Sequence, residues 1–142
     1  MRSRLSMISV DIYNDFGGRL NENISEIVSI ITDGKYNDVK LDENMHISVF
    51  DDDHYMPIEF LSSGTIEQIY LAVRLCIAGL LCKDRMPIIV DDIFTAYDEH
   101  RLKNALYCMS RIDTDQVIIF TSNNAIGDML DDLSMEYNYV EL

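Results

Sequence analysis

Apolar side chains at Ile12, Phe16, Leu20, Ile24, Ile27, Val28 and Ile31 recur at steps of three and four residues, the spacing of one helical face. Gly34 follows where a helix commonly ends on a left-handed residue. Gly17 and Gly18 interrupt the pattern, each costing about 1 kcal/mol relative to alanine in a helix interior, so a kink or break is expected there. The next stretch changes period. Val39–Leu41, Met45–Phe50 and Tyr55–Phe60 read as short antiparallel strands, with Asp42–Asn44 and Asp51–Asp53 as the turns between them.

Helical spacing returns at Ile66, Ile69, Tyr70, Val73, Ile77 and Leu80, opened by a capping box of Thr65 and Gln68. Met86–Val90 is a continuous apolar run, the pattern of a strand buried on both faces of a parallel sheet. Asp98 then caps a helix carrying Leu102, Ala105, Leu106 and Met109, and Gln116–Thr121 is a second buried strand. Asn124–Leu133 reads as a short helix and Tyr137–Leu142 as a final strand. Helix and strand alternate after an antiparallel opening, which predicts an α/β fold: a buried, mostly parallel sheet flanked by helices, with a small antiparallel hairpin near the N-terminal half. The expected organisation of residues 1–142 is a single domain with a helical lead-in (1–34), antiparallel strands (35–60) and a helix–strand region (61–142).

Composition narrows the partners. At 142 residues with 48% hydrophobic and 25% charged, the chain has the make-up of a globular domain with a real core. No apolar run approaches the roughly 20 residues that span a bilayer, so no membrane partner is expected. The first residues are basic, but Asp11 arrives too early for a secretory signal. Cys76, Cys82 and Cys108 sit in apolar helical patterns without metal-binding spacing and read as reduced core thiols of a cytoplasmic protein. The net charge of −14 repels a phosphate backbone, so DNA contact is expected only through other parts of a larger protein.

Four segments carry candidate chemistry. Leu61-Ser62-Ser63-Gly64-Thr65 is a small-residue turn leading into a helix N-terminus, where unpaired N–H groups and the helix dipole favour an anion; taken alone, it is simply a capped helix. Asp91 and Asp92 end a buried strand at the sheet edge where open α/β folds place ligands. One such carboxylate can support Mg²⁺ through its water shell and its neighbour can orient or deprotonate an attacking water. Asp98, seven residues beyond Asp91, is accounted for as a helix cap, and Thr121-Ser122-Asn123 puts polar groups at the same edge as Asp91. Asp51–Asp53 lacks the alternating ligands and closing glutamate of a calcium loop and reads as a solvated hairpin tip.

In this order and spacing, the stretches 60–75, 86–102 and 116–123 resemble the C-terminal lobe of ABC-type ATPases. The likeness is greatest to the SMC-like branch that includes DNA double-strand-break repair and chromosome-maintenance ATPases, and residues 24–36 resemble the passage from coiled coil into that lobe. The resemblance implies that Leu61, Ser62, Ser63, Gly64 and Thr65 form the signature segment, presenting to the γ-phosphate of ATP held by an opposing subunit. It makes Asp91 the Walker B carboxylate supporting Mg²⁺ and Asp92 the counterpart of the catalytic glutamate. Asp98 becomes the D-loop aspartate, and Asn123 falls on the switch-histidine position.

Three departures qualify that picture. Asp92 is one methylene shorter than glutamate, Asn123 does not titrate as histidine does, and the phosphate-binding pattern G-x-x-x-x-G-K-[ST] is absent. The expected partners are therefore a lysine-loop-bearing N-terminal lobe, upstream or on another chain, and a second head in an ATP-bridged homodimer. ATP hydrolysis is expected only in that combination. The same residues also fit a catalytically degenerate lobe that serves as a nucleotide-gated dimerisation module. A phospho-accepting receiver domain, whose first strand ends in a similar acidic pair, is disfavoured: it needs a late lysine, and the last lysine here is Lys103.

Overall fold

The computed structural model describes residues 4–81, 87–95 and 97–141, with the side chains of residues 4–16 and 81 left aside. Cys82, Met86 and Leu142, expected in a helix and two strands, fall outside the described residues, as do the side chains of Ile12 and Phe16. The chain divides into two compact units, residues 1–83 and 84–142.

In the first unit, α1 (Arg4–Ile31) runs unbroken for 28 residues, about 42 Å of helix. The break expected at Gly17-Gly18 does not occur. Glycine weakens a helix by propensity alone, a weak effect that packing overrides, and Leu20, Ile24, Val28 and Ile31 are all fully buried. The helix ends in a Schellman turn: the N–H of Gly34 donates to Ser29 O (2.7 Å) and that of Asp33 to Ile30 O (3.4 Å). Asp33, with φ of 55°, takes the left-handed position, and Gly34 follows at 76°.

Strands β1 (Val39–Leu41), β2 (Ile47–Asp51) and β3 (His54–Pro57) form an antiparallel sheet in that order, with Val39 opposite Val49 and Val49 opposite Met56. Val39, Leu41, Ile47 and Val49 point into a core shared with α1. The last expected strand stops early. Pro57 lacks the N–H needed to extend the ladder, and residues Ile58–Phe60 tighten into a 3₁₀ turn that buries Ile58.

Strand β1 is an edge, yet its outer backbone groups are satisfied. Antiparallel pairing turns alternate residues toward β2, so Val39 and Leu41 face the other way, toward α1. There Leu41 N–H donates to Asn21 Oδ1 (3.0 Å), and Asn21 Nδ2 donates to Leu41 O (3.5 Å). One turn along, Val39 N–H donates to Ser25 Oγ (2.9 Å), whose hydroxyl lies within 2.7 Å of Asn21 O and 3.3 Å of Val39 O. Two helix side chains replace the missing neighbouring strand.

Helix α2 (Ser63–Leu81) closes the unit, adding Ile69, Ala72, Val73 and Cys76 to the core. The expected Thr65–Gln68 capping box is not the cap. The helix starts three residues earlier, at Ser63, so Ser62 is the N-cap: its Oγ accepts from Thr65 N–H (3.4 Å) and pairs with Thr65 Oγ1 (2.9 Å). Gln68 is instead 1% exposed, and both polar atoms of its amide lack a hydrogen-bond partner among the described residues.

The second unit pairs β4 (Ile88–Asp91) with β5 (Val117–Phe120) in parallel, Ile88 opposite Val117 and Asp91 opposite Phe120. Helices α3 (Glu99–Ser110) and α4 (Ala125–Asp132) supply its buried side chains Leu102, Ala105, Leu106, Met109, Ile126 and Met129. Burial on both faces, expected from the apolar runs, is not observed. Val90 is buried, but Ile89 is 65% and Phe120 44% exposed. Among the described residues the sheet has two strands, so each is an edge there. Nor is there a closing strand: residues 135–141 join no ladder among the described residues. Tyr137 instead seats its ring on α4, where a Cβ on Gly127 would come within 3.2 Å of its hydroxyl. Desolvation there, reinforced by Asp131 and Asp128, raises the Tyr137 pKa above that of an ordinary phenol.

Two stability changes follow. Asn21→Leu strands the outer N–H and C=O of Leu41 and is expected to cost about 1–3 kcal/mol, read as a lower urea midpoint at unchanged slope, whereas Glu22→Ala on the exposed side stays within about 0.5 kcal/mol. Gln68→Met removes a buried amide with no partner and is expected to raise stability by roughly 1 kcal/mol; a loss in the same urea titration would show that the amide is bonded.

Candidate functional site

The small-residue turn belongs to the first unit. Leu61 is half-buried against the core, its N–H bonded to Ile58 O at 2.9 Å, which fixes where the turn leaves the 3₁₀ segment. Ser62 caps α2, while Ser63 and Gly64 form its first turn, where helix geometry provides no intrahelical acceptor for their N–H groups. Thr65 is buried and anchors the turn from below. No carboxylate lies in this first turn, so nothing on the helix itself neutralises the positive end of its dipole.

The acidic edge belongs to the second unit. Strand β4 delivers Asp91 to its carboxyl end, exposed and level with Phe120. The ladder continues one bond further, Asp92 N–H donating to Phe120 O at 2.9 Å. Asp92 then adopts a left-handed backbone, φ 46°, a conformation that aspartate tolerates better than most non-glycine residues. That turn ends the strand, and Asp92 Oδ1 lies 3.4 Å from the donating hydroxyl of Ser122 on the β5–α4 loop.

Beyond it, Phe94 is buried and meets Tyr97 edge-to-face, ring centroids 5.6 Å apart, while Tyr97 N–H bonds Phe94 O (3.1 Å). Sequence reasoning missed this anchor, although a lone phenylalanine between two acidic positions was a visible signal. Asp98 is the N-cap of α3, as expected: Oδ1 accepts from Arg101 N–H (2.9 Å) and Oδ2 sits 3.3 Å from Arg101 Nε.

The structure draws Asp92 and Ser122 together but engages Asn123 elsewhere. Asn123 Oδ1 accepts from Ala125 N–H (3.0 Å) at the start of α4, and its own N–H donates to Thr121 Oγ1 (2.9 Å). Among the described residues no group of three or more His, Cys, Asp or Glu is arranged to hold a metal. One or two exposed carboxylates suit Mg²⁺ that brings phosphate and water ligands of its own, since that ion is seldom held by an all-protein cage.

No protein-family model matches the chain. It is 30% identical to the uncharacterized protein YhaN of Bacillus subtilis over 116 residues, covering 78% of this chain and 12% of YhaN. Among solved structures, the SMC head domain from Thermotoga maritima superposes with a TM-score of 0.59 at 17% identity, over 84% of this chain and 43% of that one. A second, from work on ATP-driven dimerization and DNA-stimulated activation of SMC ATPases, gives 0.67 at 21% identity over 86% of this chain and 78% of that one. The chain thus spans about an eighth of the curated relative's length and under half of the Thermotoga head. These likenesses bear out the expected α/β architecture: the chain has the fold of an SMC ATPase head lobe.

Proposed function

We propose that the chain is the C-terminal lobe of an SMC-like ATPase head, contributing signature, Walker B and D-loop elements to ATP-dependent head dimerisation and ATP hydrolysis. The observation that carries this reading is the end of β4, where Asp91 is exposed at the strand terminus and Asp92 is turned out of the ladder beside the loop that follows β5. Asp91 would hold Mg²⁺, which supplies charge neutralisation for the ATP phosphates. Asp92 would accept the proton of the attacking water. The first turn of α2, at Ser62, Ser63 and Gly64, would face the γ-phosphate of ATP on an opposing head, and Asp98 would lie at the head–head contact.

A lysine-loop lobe is the partner this scheme requires, and the exposed Ile89 and Phe120 on the two-stranded sheet supply apolar surface for one. DNA repair or chromosome maintenance is the process the resemblance suggests, with DNA contact supplied by other parts of the parent because this chain carries a net charge of −14. No described helix is long and apolar enough to cross a membrane.

A second reading has its own observation. Asn123 spends its side-chain oxygen on the start of α4, as expected of a degenerate lobe in which the switch position serves structure and nucleotide only gates dimerisation. The two readings part in one assay. The head assembled with its lysine-loop lobe is expected to dimerise on adding Mg·ATP, seen by light scattering, and to hydrolyse it, while Asp92→Asn keeps dimerisation and loses turnover by about 100-fold or more. Equal turnover in both proteins would remove Asp92 as the base, and dimerisation without turnover in either would favour the degenerate lobe.

A further inference from the structure

We propose that Ser122 is the positioning residue that orients the Asp92 carboxylate for hydrolysis; this rests on the functional reading above and goes beyond it.

Three neighbouring polar residues follow β5, and hydrogen bonding divides them between two tasks. Thr121 Oγ1 accepts from the Asn123 N–H, and Asn123 Oδ1 accepts from the Ala125 N–H, so both bonds run locally and shape the turn into α4. Ser122 alone of the three has a bond reaching the neighbouring strand's end, its Oγ donating to Asp92 Oδ1 at 3.4 Å across 30 residues of sequence. The parallel register makes that contact possible. Asp91 stands opposite Phe120, and the Asp92 N–H takes the Phe120 carbonyl, so the chain after Asp92 and the chain after Phe120 leave the same edge together.

The chemistry follows from the left-handed turn. Once Asp92 has left the ladder at φ 46°, the strand no longer fixes where its side chain points, and an exposed aspartate samples several rotamers. A donor on Oδ1 selects among them and leaves Oδ2 to accept from a water. A general base works only when it holds hydrogen-bond reach of the proton it removes. Here the orienting group is a hydroxyl from the following loop rather than the side chain at position 123.

The test uses the head assembled with its lysine-loop lobe. Ser122→Ala is expected to lower kcat for ATP roughly 10-fold, the order of one hydrogen bond to a charged group. KM should stay within about twofold, with ATP-driven dimerisation and the urea midpoint unmoved. Ser122→Thr, which keeps the hydroxyl, should recover most of the loss. Turnover of Ser122→Ala equal to wild type, or a Thr variant as slow as the Ala variant, overturns the assignment. The functional reading fails separately: a wild-type head that does not hydrolyse ATP, or one indifferent to Asp92→Asn, removes it and the role of Ser122 with it.

Discussion

Everything in the first unit depends on the edge of β1 being satisfied. A three-residue strand between a helix and one neighbour would leave two N–H and two C=O groups of Val39 and Leu41 turned into the interior, each costly without a partner. Asn21 and Ser25 remove that cost. They do so from positions beside Leu20 and Ile24, which are fully buried, so one helix carries a polar seam for the strand and an apolar seam for the core. With the strand fixed, Val39 and Leu41 face inward alongside Ile47 and Val49, and α2 packs onto a finished surface. The small-residue turn at the head of α2 inherits its placement from that chain of contacts, through Leu61 and buried Thr65.

The second unit works from a different constraint, the parallel register of two short strands. Parallel pairing sends both carboxyl ends to one side, so the residues after Asp91 and after Phe120 meet without any long loop. The helices that follow the two strands are each started by a side chain from the intervening loop: Asp98 caps α3, and Asn123 starts α4. Side chains that read as chemistry in the sequence thus also hold the backbone in place. Ser122 is the one whose bond crosses between the strand ends.

Much of this was legible from spacing. Periodic apolar residues located α1, α2 and α3, alternation located the antiparallel strands, and Asp98 was recognisable as a cap from its place before Leu102. What the sequence hid were properties that depend on partners. Asn21 and Ser25 look like ordinary polar helix residues because their acceptors and donors lie 14 to 20 residues away. The apolar run at Ile88–Val90 signals a strand but not how many strands flank it, and with one neighbour Ile89 stays exposed. Thr65 and Gln68 matched a capping pattern, yet Ser62 had a better claim because it precedes the turn, and Gln68 went into the core instead. Tyr137 alternates like a strand residue but finds a seat against Gly127 on α4.

The pairing between α1 and β1 also works as a vernier. Four residues of helix advance about 6 Å, and two residues of strand advance nearly the same, about 6.7 Å, so side chains at i and i+4 meet every second strand residue along the line of contact. Two such scales can mesh at more than one setting, and α1 offers two further graduations, Gly17 and Ser29, besides the two used, Asn21 and Ser25. Slid one turn in one direction, Gly17 would fall opposite Leu41 with no side chain to offer; slid the other way, Ser25 and Ser29 would face the strand, and a hydroxyl cannot exchange the pair of bonds that the Asn21 amide makes. An asparagine with glycine one turn before it and serine one turn after it therefore leaves a single setting in which every mark on the strand is met.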